Sequence, residues 1–207
     1  MGLHLRQAML INGMLFNSEA WHGLKESHIN ELQKVDNYLL RSLFKSHSKT
    51  STAFMHLETG TLPLKFIISS RRLNFLHNIL KRNDSETILR VFNAQRDNPI
   101  EGDFINLVKK DLEQVGIKYD EAFIKSMNKI KFKSFIKKKI ATAAFNWLLN
   151  EKSDKSKIKN IKYRNFKIQS YMSSKIFTNA EVELLSKLRS KNIDVKCNFK
   201  TKFSPKK

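Results

Sequence analysis

The chain has 207 residues, 39 Lys and Arg against 19 Asp and Glu, a formal net charge of +20 and one cysteine. Only six Gly and three Pro accompany a hydrophobic share of 41%, which excludes collagen-like, Gly/Pro-rich and disulfide-stapled architectures. That length and composition suit one ordinary folded domain or two small ones, and the charge excess predicts polyanionic partners, nucleic acid first and an anionic membrane surface second. Cys197 cannot close an intrachain bridge, and no uncharged run approaches the roughly 20 apolar residues of a membrane span, so the expected setting is intracellular, nucleus or cytoplasm.

Sparse Gly and Pro, with apolar residues three and four apart, read as helix throughout. A first helix is predicted over residues 3–16, with Gly13 as its weak point. A second, over 27–44, carries the stripe Ile29, Leu32, Val35, Leu39 and Leu43, with Ser27 as its N-cap. A short third opens at Thr50-Ser51-Thr52 and ends at Gly60, placed as a C′ glycine. Pro63 suits the first turn of a fourth, running to about Arg82 through Leu64, Ile68, Leu76 and Leu80. A fifth covers 86–93. Beyond Arg96–Gly102, the best linker candidate, short helices are expected over 104–115 and 121–127 and a longer one over 129–150. Phe132, Ile136, Ile140, Ala143 and Trp147 share one face of that longer helix. Residues 151–167 are polar and basic. Thr178 and Glu181 form a capping box before Val182, Leu185 and Leu188.

The expected fold is therefore all-α, an irregular multi-helix bundle. Its predicted parts are a helical subdomain over 1–95, a linker over 96–103, a basic helical subdomain over 104–195 and a flexible basic tail over 196–207.

Groups for catalysis do not converge. The six histidines are scattered without zinc-ligand spacing, and there is no Gly-rich phosphate loop and no nucleophile elbow. Asp120-Glu121 stands at a helix start, where acids favour the macrodipole. No catalytic residue, metal site or cofactor is expected.

The positive charge, by contrast, is concentrated. Residues 125–175 hold 15 basic side chains and two acids, Glu151 and Asp154. Lysine and arginine neutralise phosphates and release counterions, and exposed aromatics stack on unpaired bases. The helical wheel puts Phe132 and Trp147 on the apolar stripe, Lys131 and Lys138 on the opposite face, and Lys137 and Lys139 on its flanks. In the next stretch Lys157, Lys159, Lys162, Arg164 and Lys167 surround Tyr163 and Phe166, the better stacking candidates. A solvated lysine-rich face is the bland alternative, but it does not require the shortage of acids in the same window. Ser204-Pro205-Lys206-Lys207 adds one copy of a unit found repeated in linker-histone tails.

Three stretches carry a family resemblance: Leu5-Arg6-Gln7-Ala8-Met9-Leu10 with Asn17-Ser18-Glu19-Ala20-Trp21, Leu57-Glu58-Thr59-Gly60-Thr61-Leu62-Pro63-Leu64, and Arg71-Arg72-Leu73-Asn74-Phe75-Leu76. In this order and spacing the chain resembles the region after the catalytic palm in reverse transcriptases of non-LTR (LINE-like) retrotransposons, the thumb and the segment beyond it. Residues 181–203, with Leu188-Arg189-Ser190-Lys191 and Asn198-Phe199-Lys200, resemble the approach to a zinc knuckle in such elements.

The resemblance implies a truncated fragment that grips RNA template and primer and whose parent carries an upstream polymerase palm. It implies no polymerase activity, because no Asp-Asp pair occurs, and no knuckle, because no further Cys or His follows Cys197. Arg72 falls on an apolar stripe, where an unpaired guanidinium is costly, so a structural ion pair with Glu58 is expected. Arg71, one position round, is expected to reach phosphate. The competing expectation is a non-enzymatic helical scaffold whose basic segment contacts acidic proteins or anionic membrane.

Overall fold

A computed structural model describes residues 2–21, 23–45, 50–155, 157–173 and 176–191. The fold is all-α, and no strand occurs among the described residues. Cys197, the Ser204–Lys207 unit and the 196–207 tail lie outside the described residues. None of the described helices is long and apolar enough to cross a membrane.

The chain forms two compact units, residues 1–36 with 62–144, and residues 37–61 with 145–207. The first begins with α1 (Gly2–Leu5), a π-helical segment Arg6–Ile11 and α2 (Asn12–Met14), one unbroken run, followed by a 3-10 turn at Ser18–Ala20. α3 (Glu26–Leu43) passes into the second unit after Asp36. Its buried row is Asp36, Leu40 and Phe44, not the predicted Val35, Leu39 and Leu43, and Val35 is exposed. The reason is electrostatic: Asp36 is buried against Arg6, whose Nε and Nη2 donate to its two carboxylate oxygens at 2.5 and 2.7 Å.

The first unit is organised on α5 (Leu64–Leu80), buried on most of its circumference as a central helix must be. Pro63 stands at its N-cap, and Gln33 Oε1 accepts from the Leu64 N–H at 2.8 Å, satisfying an otherwise orphaned donor. Ile11, Leu15, Leu64 and Ile68 form one core cluster, with Trp21, Ile29 and Leu32 packed against it. α6 (Thr87–Asp97) and α7 (Phe104–Gln114) join through Phe104, whose ring meets Phe92 and Phe75 edge-on at 6.3 and 5.7 Å. The predicted linker at 96–103 therefore lies between two packed helices of one unit. α8 (Glu121–Ser126) is capped by Asp120, which accepts from the Phe123 N–H at 3.0 Å, the role read for this acid in the sequence.

Ser69, Arg72 and His77, buried on α5, each find a partner, although Arg72 Nε itself is left without one. Asp111 accepts from Ser69 Oγ at 2.6 Å and from Arg72 Nη1 at 2.8 Å. The His77 ring stacks on Phe132 with centroids 4.6 Å apart, and its Nε2 lies 3.0 Å from the Met127 carbonyl.

In the second unit α4 (Thr52–Thr59) is buried on nearly every side, and Gly60 ends it at φ 62°. Ala53, Leu57 and Leu148 form its core cluster, with Phe145, Trp147, Tyr163 and Phe166 packed on it. The short α10 (Ser170–Ser173) and α11 (Asn179–Arg189) complete it, and the Thr178–Glu181 capping box is present.

α9 (Lys129–Ser153) contributes residues to both units. Its buried row, Phe132, Ile136, Ile140, Ala144, Leu148 and Lys152, advances four residues at a time. At 3.6 residues per turn each such step rotates by about 40°, so the buried face precesses along the helix.

Candidate nucleic-acid interface

In the first unit the exposed side of α9 carries Lys129, Lys131, Lys133, Lys137 and Lys138, with Lys139 half-buried and its Nζ 5.8 Å from the Phe135 ring centroid. Phe132 is core, as expected. No acid occurs between Glu121 and Glu151, and none of these six lysines has an ion-pair partner among the described residues.

Two acids of the preceding helices are engaged with other partners, whereas Glu19, which lines a cleft with Lys129 and Lys133, has none among the described residues. Asp111 holds Arg72, and Glu121 faces Arg96 at 3.4 Å and accepts from the Tyr119 hydroxyl at 2.7 Å.

The arrangement opposes helix stability. Lys129 and Lys131 occupy the first turn, where the macrodipole favours anions, and no acid accompanies them. Lys129, Lys133 and Lys137 are spaced i, i+4, where like charges cost about 0.2–0.5 kcal/mol per pair. Such a face holds a standing positive potential that a polyanion relieves.

Arg71 and Arg72 both make contacts within the fold. Arg71 Nη1 donates to the Leu15 carbonyl and lies 3.4 Å from Ser18 Oγ, clamping the turn after α2 onto α5. Arg72 is buried and paired with a carboxylate as expected, but the partner is Asp111 and not Glu58.

In the second unit Glu58, with no exposed surface, accepts from the Tyr163 hydroxyl at 2.5 Å, the Tyr171 hydroxyl at 2.6 Å and Arg189 Nη2 at 2.9 Å. Burial first, then the Glu58 charge, push both tyrosine hydroxyls well above their ordinary pKa, so they stay protonated donors. Tyr163 is thereby removed from stacking duty, with Arg189 over its ring at 5.9 Å. Phe166 likewise packs inward, its centroid 6.0 Å from that of Phe145. Both rings are partly buried and packed on the Ala53, Leu57 and Leu148 cluster, so neither stands out from the surface as a free stacking platform.

The cations expected around these aromatics do lie on the surface: Lys157, Lys159, Lys162, Arg164 and Lys167 are all exposed. Lys152, which the sequence reading passed over, anchors their loop. Only 8% exposed, it donates to the carbonyls of Lys159 and Ile161 at 2.7 and 2.6 Å. Burial lowers its pKa from the ordinary lysine value. Its place in the i, i+4 row with Ala144 and Leu148 was the sequence signal.

Among the described residues no three His, Cys, Asp or Glu side chains are grouped to hold a metal ion. Compared with known protein families, curated proteins and solved structures, the chain has no match.

Proposed function

We propose that this chain is a nucleic-acid-binding helical module without a catalytic centre of its own, derived from the post-palm region of a non-LTR retrotransposon reverse transcriptase. The observation that carries the reading is the group of six lysines between Lys129 and Lys139 on α9, without an ion-pair partner among the described residues and with no acid in the sequence between Glu121 and Glu151. Cations in this setting bind a phosphate backbone without reading sequence. Lys157, Lys159, Lys162, Arg164 and Lys167 give the second unit an exposed basic segment as well. The origin rests on the ordered motifs at residues 5–21, 57–64 and 71–76.

The test is fluorescence anisotropy of the full chain with short RNA and RNA·DNA duplexes across a salt titration. Log affinity is expected to fall steeply and linearly with log salt, by about 0.9 for each phosphate neutralised on B-form DNA and somewhat less on single strands. Lys137→Ala and Lys138→Ala should each lower that slope by about 1. Affinity indifferent to salt, or binding confined to acidic proteins or anionic vesicles, overturns the proposal.

A further inference from the structure

A second feature of the first unit has a different chemistry from the lysine row. α5 presents Arg71, Asn74 and Asn78 at spacings of three and four, hence along one face. That face lines a cleft of about 840 Å3, bounded also by Phe16 and Glu19 from the turn after α2 and by Lys129 and Lys133 from the start of α9. Pockets for small ligands run from about 300 to 1,000 Å3, so one nucleotide fits such a space.

The cleft is built to present these groups. Phe16 is 78% exposed, unusual for a phenylalanine beside a core, yet its neighbour Leu15 is fully buried and the Leu15 carbonyl is held by Arg71. The aromatic face therefore stands on a clamped base. Asn74 donates to the Ser70 carbonyl at 2.6 Å, which leaves its Oδ1 as an acceptor. Glu19 and the Asn78 side chain have no hydrogen-bond partner among the described residues. Three cations, Arg71, Lys129 and Lys133, outnumber the one carboxylate.

An acidic peptide would use the cations but not the aromatic face or the amides. A nucleotide uses all three. We propose that this cleft holds one unpaired nucleotide of a single-stranded nucleic acid, the base stacked on Phe16, its phosphate on Lys129 and Lys133, and its exocyclic amino group donating to Glu19. A carboxylate accepts from cytosine N4, whereas uracil and thymine present a carbonyl oxygen at that edge and are repelled. The site thus prefers cytosine to uracil. It rests on the reading of the chain as nucleic-acid-binding and adds to it a single-strand site with a base preference.

The test uses the full chain with octacytidylate, octauridylate and a blunt duplex as probes at one salt concentration. Octacytidylate is expected to bind about tenfold more tightly than octauridylate, the discrimination of one good base contact. Phe16→Ala should weaken both single strands about tenfold, the loss of one base stack, and leave the duplex unaffected. Should Phe16→Ala melt early, Phe16→Leu keeps the apolar bulk and removes the stack. Glu19→Gln should abolish most of the cytosine preference. Equal binding of the two strands by the native chain overturns the inference, as does single-strand binding that survives both Phe16 variants. If the duplex still binds with its salt slope, the proposed function stands alone. If nothing binds, both fall.

Discussion

A carboxylate with no exposed surface is matched at position 58 by two phenols and a guanidinium that converge on it. Removing such a partner leaves the others buried and unmatched, which costs about 3–5 kcal/mol in buried pairs. Glu58→Ala should lower stability in urea denaturation by about that much. Arg189→Ala should cost clearly less, since its side chain is 34% exposed and water can replace it. Equal losses would mean that Glu58 is not the hub. Lys152 offers a second reading at this scale. Burial holds its folded pKa below the unfolded value, so between the two the unfolded chain binds more protons and stability rises with pH through that window. A side-chain NMR titration should give Lys152 a midpoint below the ordinary lysine value, and Lys152→Met should remove the pH-dependent contribution. A midpoint at the ordinary lysine value would contradict the burial argument. Single-residue burial was partly legible in the sequence: Arg72 on an apolar stripe had to be buried and paired. Its partner was not legible, because Asp111 lies 39 positions away and nothing local distinguishes it from Glu58.

At the scale of elements, caps and breakers were the most readable features, since their chemistry is local. Asp120, the Thr178–Glu181 box and Gly60 all stand where the sequence placed them. Gly60 has a further constraint that no sequence pattern carries. Beyond its φ of 62°, a Cβ there would lie 2.6 Å from the backbone carbon of Lys167. Gly116, at φ 67°, has open space around the same position. Gly116→Ala should therefore cost only the left-handed penalty of about 1–2 kcal/mol. Gly60→Ala should cost that and more, because Lys167 must move as well. Thermal melts of the two variants measure the difference, and equal melting temperatures would show the approach of Lys167 to be dispensable. The buried rows were read less well where a helix changes its surroundings along its length. On α9 the row drifts by about 40° per step, so a fixed stripe places Phe132 correctly and misses Leu148 and Lys152. On α3 the register slips because Asp36 is buried, and a hydrophobic pattern has no means of anticipating a buried carboxylate.

For the whole molecule, the division at 96–103 rested on a charge shift and turn-forming residues, both of which a tight helix–helix connection also provides. The observed units are discontinuous in sequence: α3 and α9 pass from one to the other at 36–37 and 144–145 without Gly or Pro. A boundary inside an unbroken helix leaves no local mark. The concentration of charge, in contrast, was legible, and its energetic sign supplies a test that separates a functional face from a structural one. Lys133 and Lys137 are like charges at i, i+4, worth about 0.2–0.5 kcal/mol of repulsion. Both are exposed and neither has an ion-pair partner among the described residues. Lys133→Gln with Lys137→Gln should hold or slightly raise the melting temperature at low salt, and the gain should vanish at about 1 M, where screening falls to about 3 Å. The same variant should bind a short RNA·DNA duplex more weakly, with a salt slope shallower by about 2. Stability and binding then move in opposite directions, as they do where positive charge is kept for a partner at the expense of the free helix. A fall in both would identify the lysines as part of the folded framework and remove the basis for the proposed interface.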